Sequence, residues 1–541
     1  MTQLGQSIAL LLEHFWTWIF TMIGLSPTAG QIVHVLPTQA VKLAVRGIGA
    51  GKSSKAMGNG EKPTNGEAVV SNGHAGSEPL GKFILERCPS LKGSFNPSWW
   101  IKSGHLQTMY CVVGNFNIVD KVVYERTLLR VRDGGTIAVD ITPPNHKDLP
   151  PDAPTIIVAH GLTGGSHESY VRNVLEWVVR PKSQGGLGGR GVVANYRGCA
   201  GAPLTSQQAY SALYTGDYNT VVHQTAASFP SSPLIGLGFS LGAGVLARYM
   251  GEQGEGCLLK GGISLGCPWD IPAMSTVLET GWFSSRVYSS SMGQNLARTV
   301  GRHIAPREFL SKAELAKLPV LPTEQYDLAT PYGELADEVV RLKRKGRHLR
   351  LREFDELITS KLGGLRKEDG GVFPFKGADD YYAHASSKAF IGKVKRPLLG
   401  INAFDDPIIH GSALPIEEVT KSSHVMLAVT AHGGHLGWFD GPLFARTKKV
   451  KTADDQVERV RAYPQQRWIA KPVREFITAI VDELDYDTLA PEKGPVFEHK
   501  DDGWTWVKDS EAQVYGPVVW KVIESGGAVQ GSNDSGVLAG L

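Results

Sequence analysis

Cysteine is scarce in this chain of 541 residues: five in all, at Cys88, Cys111, Cys199, Cys257 and Cys267. An odd, scattered set without C-x-x-C spacing argues against a disulfide scaffold or a zinc site and suits a reducing compartment. Charge of one sign is scarce as well. The formal net charge is +3 with both signs mixed, so no overall field marks nucleic acid as a partner. Internal repeats are absent. With 42% hydrophobic and 20% charged residues, the composition excludes a disordered chain and allows a large core.

Four regions make up what is there. Residues 1–45 carry an apolar stretch from Ile8 to Leu25 that includes Phe15, Trp16, Trp18 and Phe20. No basic segment precedes it, so it is not expected to act as a signal peptide. Its length suffices to cross a hydrocarbon core, but Glu13 near its centre costs about 3 kcal/mol there. A helix lying in the interface of a membrane or lipid droplet accommodates both the Glu and the tryptophans. The expected location is therefore membrane-associated, on the endoplasmic reticulum or a lipid droplet and facing the cytosol. A helix docked on the protein's own surface is the alternative. Residues 46–80, rich in Gly, Ser, Asn, Glu and Lys, read as a flexible linker.

Residues 81–490 have the rhythm of an α/β domain. Val122–Val131 and Thr136–Thr142 alternate like strands, and Asp133-Gly134-Gly135 joins them as a hairpin. Continuous apolar runs follow at 155–159, 191–194, 234–237, 262–265, 397–401 and 424–429, most of them separated by segments of helical composition. A mostly parallel central sheet with helices on both faces satisfies this pattern, and 467–484 reads as a closing helix. From about 270 to 394 the rhythm breaks into a charged, helix-prone insertion, expected as a cap over the carboxyl edge of the sheet. Within it, Arg341 to Arg352 holds eight basic residues interleaved with leucines, either a solvated helix face or a contact for anionic headgroups. Residues 491–541, with Trp504, Trp506 and Trp520, read as an appendage to which no role is assigned.

The chemistry begins at Gly238-Phe239-Ser240-Leu241-Gly242. A strand-like run enters this pentapeptide and a helical segment leaves it, which places Ser240 on a sharp strand-to-helix turn with its hydroxyl exposed. Serine needs a base, and the base needs an orienting carboxylate. Downstream, Asn402-Ala403-Phe404-Asp405-Asp406-Pro407 and His432-Gly433-Gly434-His435 each follow a strand-like run, in the order Ser, Asp, His. Asp406 is the expected orienter, with Asp405 in the turn. His435 is the expected base, swung over Ser240 by the two glycines, with His432 bracing the loop. The H-x-x-H spacing lacks a third ligand for a metal, and the acyltransferase-like H-x4-D formed by His435 and Asp440 reads as coincidence. Oxyanion stabilisation requires two backbone donors, expected from Leu241 and from Leu162 within His160-Gly161-Leu162-Thr163-Gly164-Gly165. No cofactor is required.

Several segments carry a family resemblance: Asn96-Pro97, Trp99-Trp100, Gly104-His105-Leu106-Gln107-Thr108, residues 160–170, Asn195-Tyr196-Arg197-Gly198-Cys199, residues 238–242, Asp379-Asp380-Tyr381-Tyr382, 402–407 and 432–437. In this order the chain resembles the α/β-hydrolase group of fungal medium-chain fatty acid ethyl ester synthase/esterases and monoacylglycerol lipases. The resemblance implies the α/β-hydrolase fold with a Ser240, Asp406, His435 triad. It also implies acyl substrates: esters, monoacylglycerols, or acyl-CoA with an alcohol. The expected function is a serine esterase or lipase with alcohol O-acyltransferase capacity. A catalytically silent hydrolase serving as a membrane-associated scaffold is the competing class, and a serine peptidase is a further use of the same triad.

Overall fold

A computed structural model describes residues 30–46, 76–304, 345–440, 446–451, 457–462, 467–485 and 494–530, apart from a few single positions, and only scattered residues of 305–344. The apolar stretch from Ile8 to Leu25 and nearly all of the expected linker lie outside the described residues.

The apolar runs form the strands predicted from them. β4 (Val123–Val131) and β5 (Thr136–Thr142) make the hairpin, and β6 (Thr155–Ala159), β7 (Arg190–Asn195), β8 (Leu234–Phe239), β9 (Gly261–Leu265), β10 (Leu398–Ala403) and β11 (Val425–Thr430) follow. These last six pair in parallel in the order β11-β10-β9-β8-β6-β7, and every residue in them is buried. Continuous hydrophobicity, rather than alternation, is what a strand covered on both faces needs. Along β6, Ile156 and Val158 enter one core while Ile157 and Ala159 enter the other. The first core is closed by α1 (Leu80–Arg87), and by α3 (Ser169–Val179) and α9 (Ala470–Asp482); between α1 and α3 in the chain lies α2 (Gly104–Val113). The second is closed by α4 (Gly216–Ser228) and α5 (Leu241–Gln253).

Chain order reverses at β6, which has β7 on one side and β8 on the other. Helix α3 leaves β6 on one face of the sheet, and α5 leaves β8 on the opposite face. The crevice between the carboxyl ends of those two strands is where open α/β sheets bind ligands.

Between β9 and β10 the expected insertion is helical: α6 (Ile271–Thr280), α7 (Ser290–Ile304) and α8 (Ala378–Ala385) are its longest described helices, with shorter turns between. A third apolar cluster joins Ile271, Met274, Tyr288 and Leu351 of this insertion to Leu162, Tyr196 and Tyr210 of the loops beyond the sheet, which makes it a cap over that edge. Among the described residues of the basic run, Arg341 meets Glu338, Arg347 meets Glu353, Arg350 meets Glu279 and Arg352 meets Asp379. No described helix is long and apolar enough to cross a membrane.

Two expected boundaries give way. Residues 1–45 are not wholly separate from the hydrolase region, because β1 (Ile32–Val35) pairs antiparallel with β11, and β2 (Lys42–Val45) pairs with β3 (Gly76–Pro79). Nor is 491–541 an appendage. β14 (Phe497–His499), β15 (Trp504–Val507) and β16 (Val519–Gln530) complete a sheet of 12 strands, with β16 paired along the whole of β4. Register shifts at Val522/Glu524 and Ser525/Gly527 break its alternation, which conceals the strand from a reading of periodicity. The pairing removes an open edge at β4. A separate hairpin, β12 (Arg446–Lys451) with β13 (Val457–Ala462), follows β11.

Trp520 anchors the tail, buried at 4% exposure and packed edge-on against Phe497. Trp520→Ala is expected to lower the unfolding free energy by about 3–5 kcal/mol while leaving kcat per folded molecule unchanged. Urea unfolding alongside active-site titration checks this, and an unchanged midpoint would return the tail to the status of an appendage.

Candidate active site

Ser240 sits at φ +51° and ψ −121°, a conformation that costs a non-glycine residue energy and must be held by its surroundings. The holding is visible. Ser240 N–H donates to the Leu265 carbonyl of β9 at 2.9 Å. A Cβ on Gly242 would lie 2.2 Å from the Ala159 carbonyl oxygen, and one on Gly238 would lie 2.5 Å from Ala243 Cα. Both positions therefore require glycine, and the turn can close only because they have it.

His435 and Asp406, the expected base and orienter, arrive from the ends of β11 and β10. His435 Nε2 lies 2.7 Å from Ser240 Oγ, and His435 Nδ1 lies 2.7 Å from Asp406 Oδ2. The Asp406 carboxylate is fully buried and accepts the Ile408 and Ile409 N–H groups on its other oxygen, at 2.8 and 3.0 Å. With Nδ1–H donated to Asp406, Nε2 is free to accept from the serine hydroxyl. Asp405 faces elsewhere, towards His432 at 3.3 Å and the Gly434 N–H at 2.9 Å. Burial pushes its carboxyl above the ordinary range, against the pull of those two contacts. Asp440 turns to Lys471, which leaves the H-x4-D spacing without a partner role at His435.

Gly433 and Gly434 were expected to let the loop swing; in the structure they also make room. A Cβ on Gly434, itself at φ +56°, would lie 2.3 Å from the Gly104 carbonyl oxygen. Helix α2 presses there. Thr108 Oγ1 accepts the His435 N–H at 2.8 Å, and the Gln107 side chain bonds both the N–H and the carbonyl of Phe439. The backbone on both sides of His435 is thus pinned by a helix more than 300 residues away in the chain. Sequence reasoning placed these two residues in a family motif but gave them no task. The available signal was an inverted pattern: α2 buries Gly104, Gln107 and Thr108 and exposes Leu106, Met109 and Val113.

Around the oxyanion loop, tyrosine hydroxyls take the flanking donors. Gly161 N–H donates to Tyr170 at 3.2 Å, and Thr163 N–H donates to Tyr210 at 3.0 Å. Leu162 N–H, between them, has no acceptor among the described residues, and neither has Leu241 N–H at the start of α5. Leu162, Ser240 and Leu241 line one cavity. His160 is excluded as a competing base. It is fully buried, with Nδ1 donating to the Gly161 carbonyl and Nε2 accepting the Tyr196 N–H, and burial pushes its pKa down to about 3. The motif around Arg197 is architectural. Burial works against its charge, yet Asp133 and Asp217 more than offset this, Asp217 gripping the guanidinium with both oxygens at 2.6 and 2.7 Å.

The cavity, with its mouth open to solvent included, spans about 650 Å³. Met274, Met292, Leu296 and Leu351 of the cap and Ile408 and Ile409 of the Asp406 loop make most of its wall apolar. Its polar corner is Asp355, whose two oxygens accept from the Thr359 and Tyr382 hydroxyls, and whose carboxyl burial pushes up to about 6. A wall of this kind suits a flexible hydrocarbon chain.

No protein-family model matches the chain. An abhydrolase domain-containing protein of Dictyostelium discoideum is 30% identical over 358 residues, covering 65% of this chain and 78% of that protein. The chain belongs to the α/β-hydrolase family. This α/β-hydrolase is also similar to a monoacylglycerol lipase of Saccharomyces cerevisiae, 28% identical over 426 residues, covering 72% of this chain and 81% of the relative. Medium-chain fatty acid ethyl ester synthase/esterase 2 of the same yeast is 26% identical over 409 residues, covering 66% and 85%.

Thr108→Val keeps the shape of the side chain but leaves the buried His435 N–H unpaired, at about 1–3 kcal/mol. Because the loss falls on the loop that carries the base, kcat for an ester should fall about 10- to 100-fold with KM nearly unchanged. Steady-state kinetics on folded variant check this, and an unaltered kcat would show that α2 does not position His435.

Proposed function

We propose that this α/β-hydrolase cleaves carboxylic acyl esters through an acyl-enzyme on Ser240. The observation that carries the reading is the continuous chain of 2.7 Å hydrogen bonds from Ser240 through His435 to Asp406, at the edge of an apolar cavity. Names among the relatives, monoacylglycerol lipase and fatty acid ethyl ester synthase/esterase, support acyl chains as the class of substrate.

In this mechanism His435 takes the Ser240 proton as Oγ attacks the ester carbonyl. Asp406 stabilises the imidazolium without itself taking the proton. The oxyanion is held by the Leu162 and Leu241 N–H groups, each such donor being worth about 3 kcal/mol in the transition state. His435 then protonates the departing alcohol, and the acyl group stays on Ser240. Water completes hydrolysis to the acid; an alcohol such as ethanol attacking in its place gives a new ester. Exclusion of water beneath the cap would tilt the balance towards the alcohol. Medium-chain esters and monoacylglycerols are the proposed substrates, with the acyl chain against Met274, Met292 and Leu296 of the apolar wall.

A chain-length series of p-nitrophenyl esters and monoacylglycerols, with and without ethanol, tests the reading. Ser240→Ala should lower kcat on the order of a millionfold, and Asp406→Asn about ten-thousandfold. Ethyl ester should appear beside the free acid when ethanol is present. No turnover by the wild type, or undiminished turnover by Ser240→Ala, would refute it; acid as the sole product would confine the enzyme to hydrolysis.

A further inference from the structure

Helix α2 is built the wrong way round for a surface helix. Its polar Gln107 and Thr108 are buried against the His435 loop, and Leu106, Met109 and Val113, spaced along one face, are exposed. The exposed apolar surface does not stop at the helix. Trp99, just before it, is 72% exposed. In the cap, Trp282 is 70% exposed, and Phe283, its neighbour in the chain, is exposed too and adjoins α2 through His105, whose ring meets Phe283 edge-on at 5.1 Å and whose Nδ1 bonds the Tyr288 hydroxyl at 2.8 Å. Phe404, 53% exposed, immediately precedes Asp405 and Asp406, and the Asp405 carbonyl abuts Gly104 at the first turn of α2. Trp99, α2 and Phe404 thus adjoin the Asp406 and His435 loops, and the Phe283 segment adjoins α2. Together they form a belt beside the candidate active site, and exposed apolar groups gathered in this way mark an interaction site.

The belt's charge and its position in the chain indicate the partner. From Asn96 to Gly114 and from Trp282 to Ser291 no acidic residue occurs, while Lys102 and Arg286 lie at the margins, Arg286 stacked over Trp282 at 5.0 Å. The carboxylates that adjoin these segments are engaged elsewhere: Asp405 is turned onto His432 and Gly434, and Glu279 takes Ser289 and Arg350. The described residues begin, at Gly30, beside this belt. The Gly30 carbonyl accepts the Phe95 N–H at 2.9 Å, and Gly30 packs against Asn96, three residues before Trp99. Exposed tryptophans with flanking cations, and with the neighbouring carboxylates engaged, are the chemistry of a membrane interface.

We propose that this belt docks the enzyme on the surface of a phospholipid layer carrying anionic headgroups. Trp99, Leu106, Met109 and Trp282 enter the headgroup region, and Lys102 and Arg286 meet lipid phosphates. Docking sets the Asp406 and His435 loops against the layer that dissolves an acyl ester substrate. The binding half of the proposal is independent of the catalytic reading; its consequence for turnover rests on Ser240 as the nucleophile.

Full-length protein and the variant Trp99→Ala, Leu106→Ser, Met109→Ser, Trp282→Ala are compared by flotation with vesicles of phosphatidylcholine, with and without phosphatidylserine. The variant should partition at least about tenfold less, and the wild type should bind better when phosphatidylserine is present. Turnover of a vesicle-embedded ester should fall in step, and turnover of water-soluble p-nitrophenyl acetate should not. Because the four side chains are exposed, retained p-nitrophenyl acetate turnover also reports a folded variant. As a second measurement that needs no variant, brominated lipids should quench wild-type tryptophan fluorescence, and should quench Ser240→Ala equally. Unchanged flotation of the variant would overturn the proposal. So would a change from dimer to monomer without change in flotation, which would assign the belt to a second copy of the chain. Loss of flotation on deleting residues 1–29, with none in the belt variant, would assign binding to the N-terminal stretch and likewise overturn it. Absence of ester turnover alongside intact, belt-dependent flotation would refute the catalytic reading and leave the docking face standing.

Discussion

The tight turn at Ser240 is the constraint on which the site depends. A serine at φ +51° is held there by a hydrogen bond to β9 and by two positions with no room for a side chain. That turn does three things at once. It lifts the hydroxyl clear of β8, it starts α5 with a Leu241 N–H that has no acceptor among the described residues, and it brings Gly242 against the end of β6. The last contact sets the distance between the two loops that would share an oxyanion. Backbone strain of order 1–3 kcal/mol at such a residue persists only where surrounding packing over-determines it, and six fully buried parallel strands supply that packing.

A second device completes the arrangement from outside the sheet. Helix α2 contributes no side chain to the Ser240, His435, Asp406 chain of hydrogen bonds, yet it presses Gly104 against Asp405 and Gly434 and pins the His435 backbone through Thr108. His105 on the same helix reaches the cap through Tyr288 and Phe283. One ten-residue helix therefore ties base, orienter loop and cap together. Its inverted distribution of polar and apolar residues follows from that task on one side and from the proposed lipid contact on the other.

The central strands were legible because a strand buried on both faces writes itself as an uninterrupted apolar run. The three side chains of the proposed triad were nameable because each follows such a run, and the order of the runs in the chain places their ends on one edge. Other features were hidden for equally physical reasons. The bulged strand β16 shows no alternation, its glycines and Glu524 reading as loop. Strand β1 is four residues long and takes its partner from β11, nearly 400 residues away. The Thr108–His435 bond joins residues 327 apart, and no local pattern encodes a partner at that separation. No local pattern gives Tyr170 or Tyr210 a task, and only the fold shows their hydroxyls taking the donors on either side of Leu162.

Every role proposed for the site depends on Ser240 being the group that becomes acylated. Intact protein treated with a fluorophosphonate, which phosphonylates an activated serine and mimics the tetrahedral intermediate, tests this directly by mass spectrometry. The predicted result is one adduct per chain, on the peptide that contains Ser240, and none when His435 is replaced by alanine. An unlabelled wild type, or an adduct on another residue while Ser240 stays free, would contradict it.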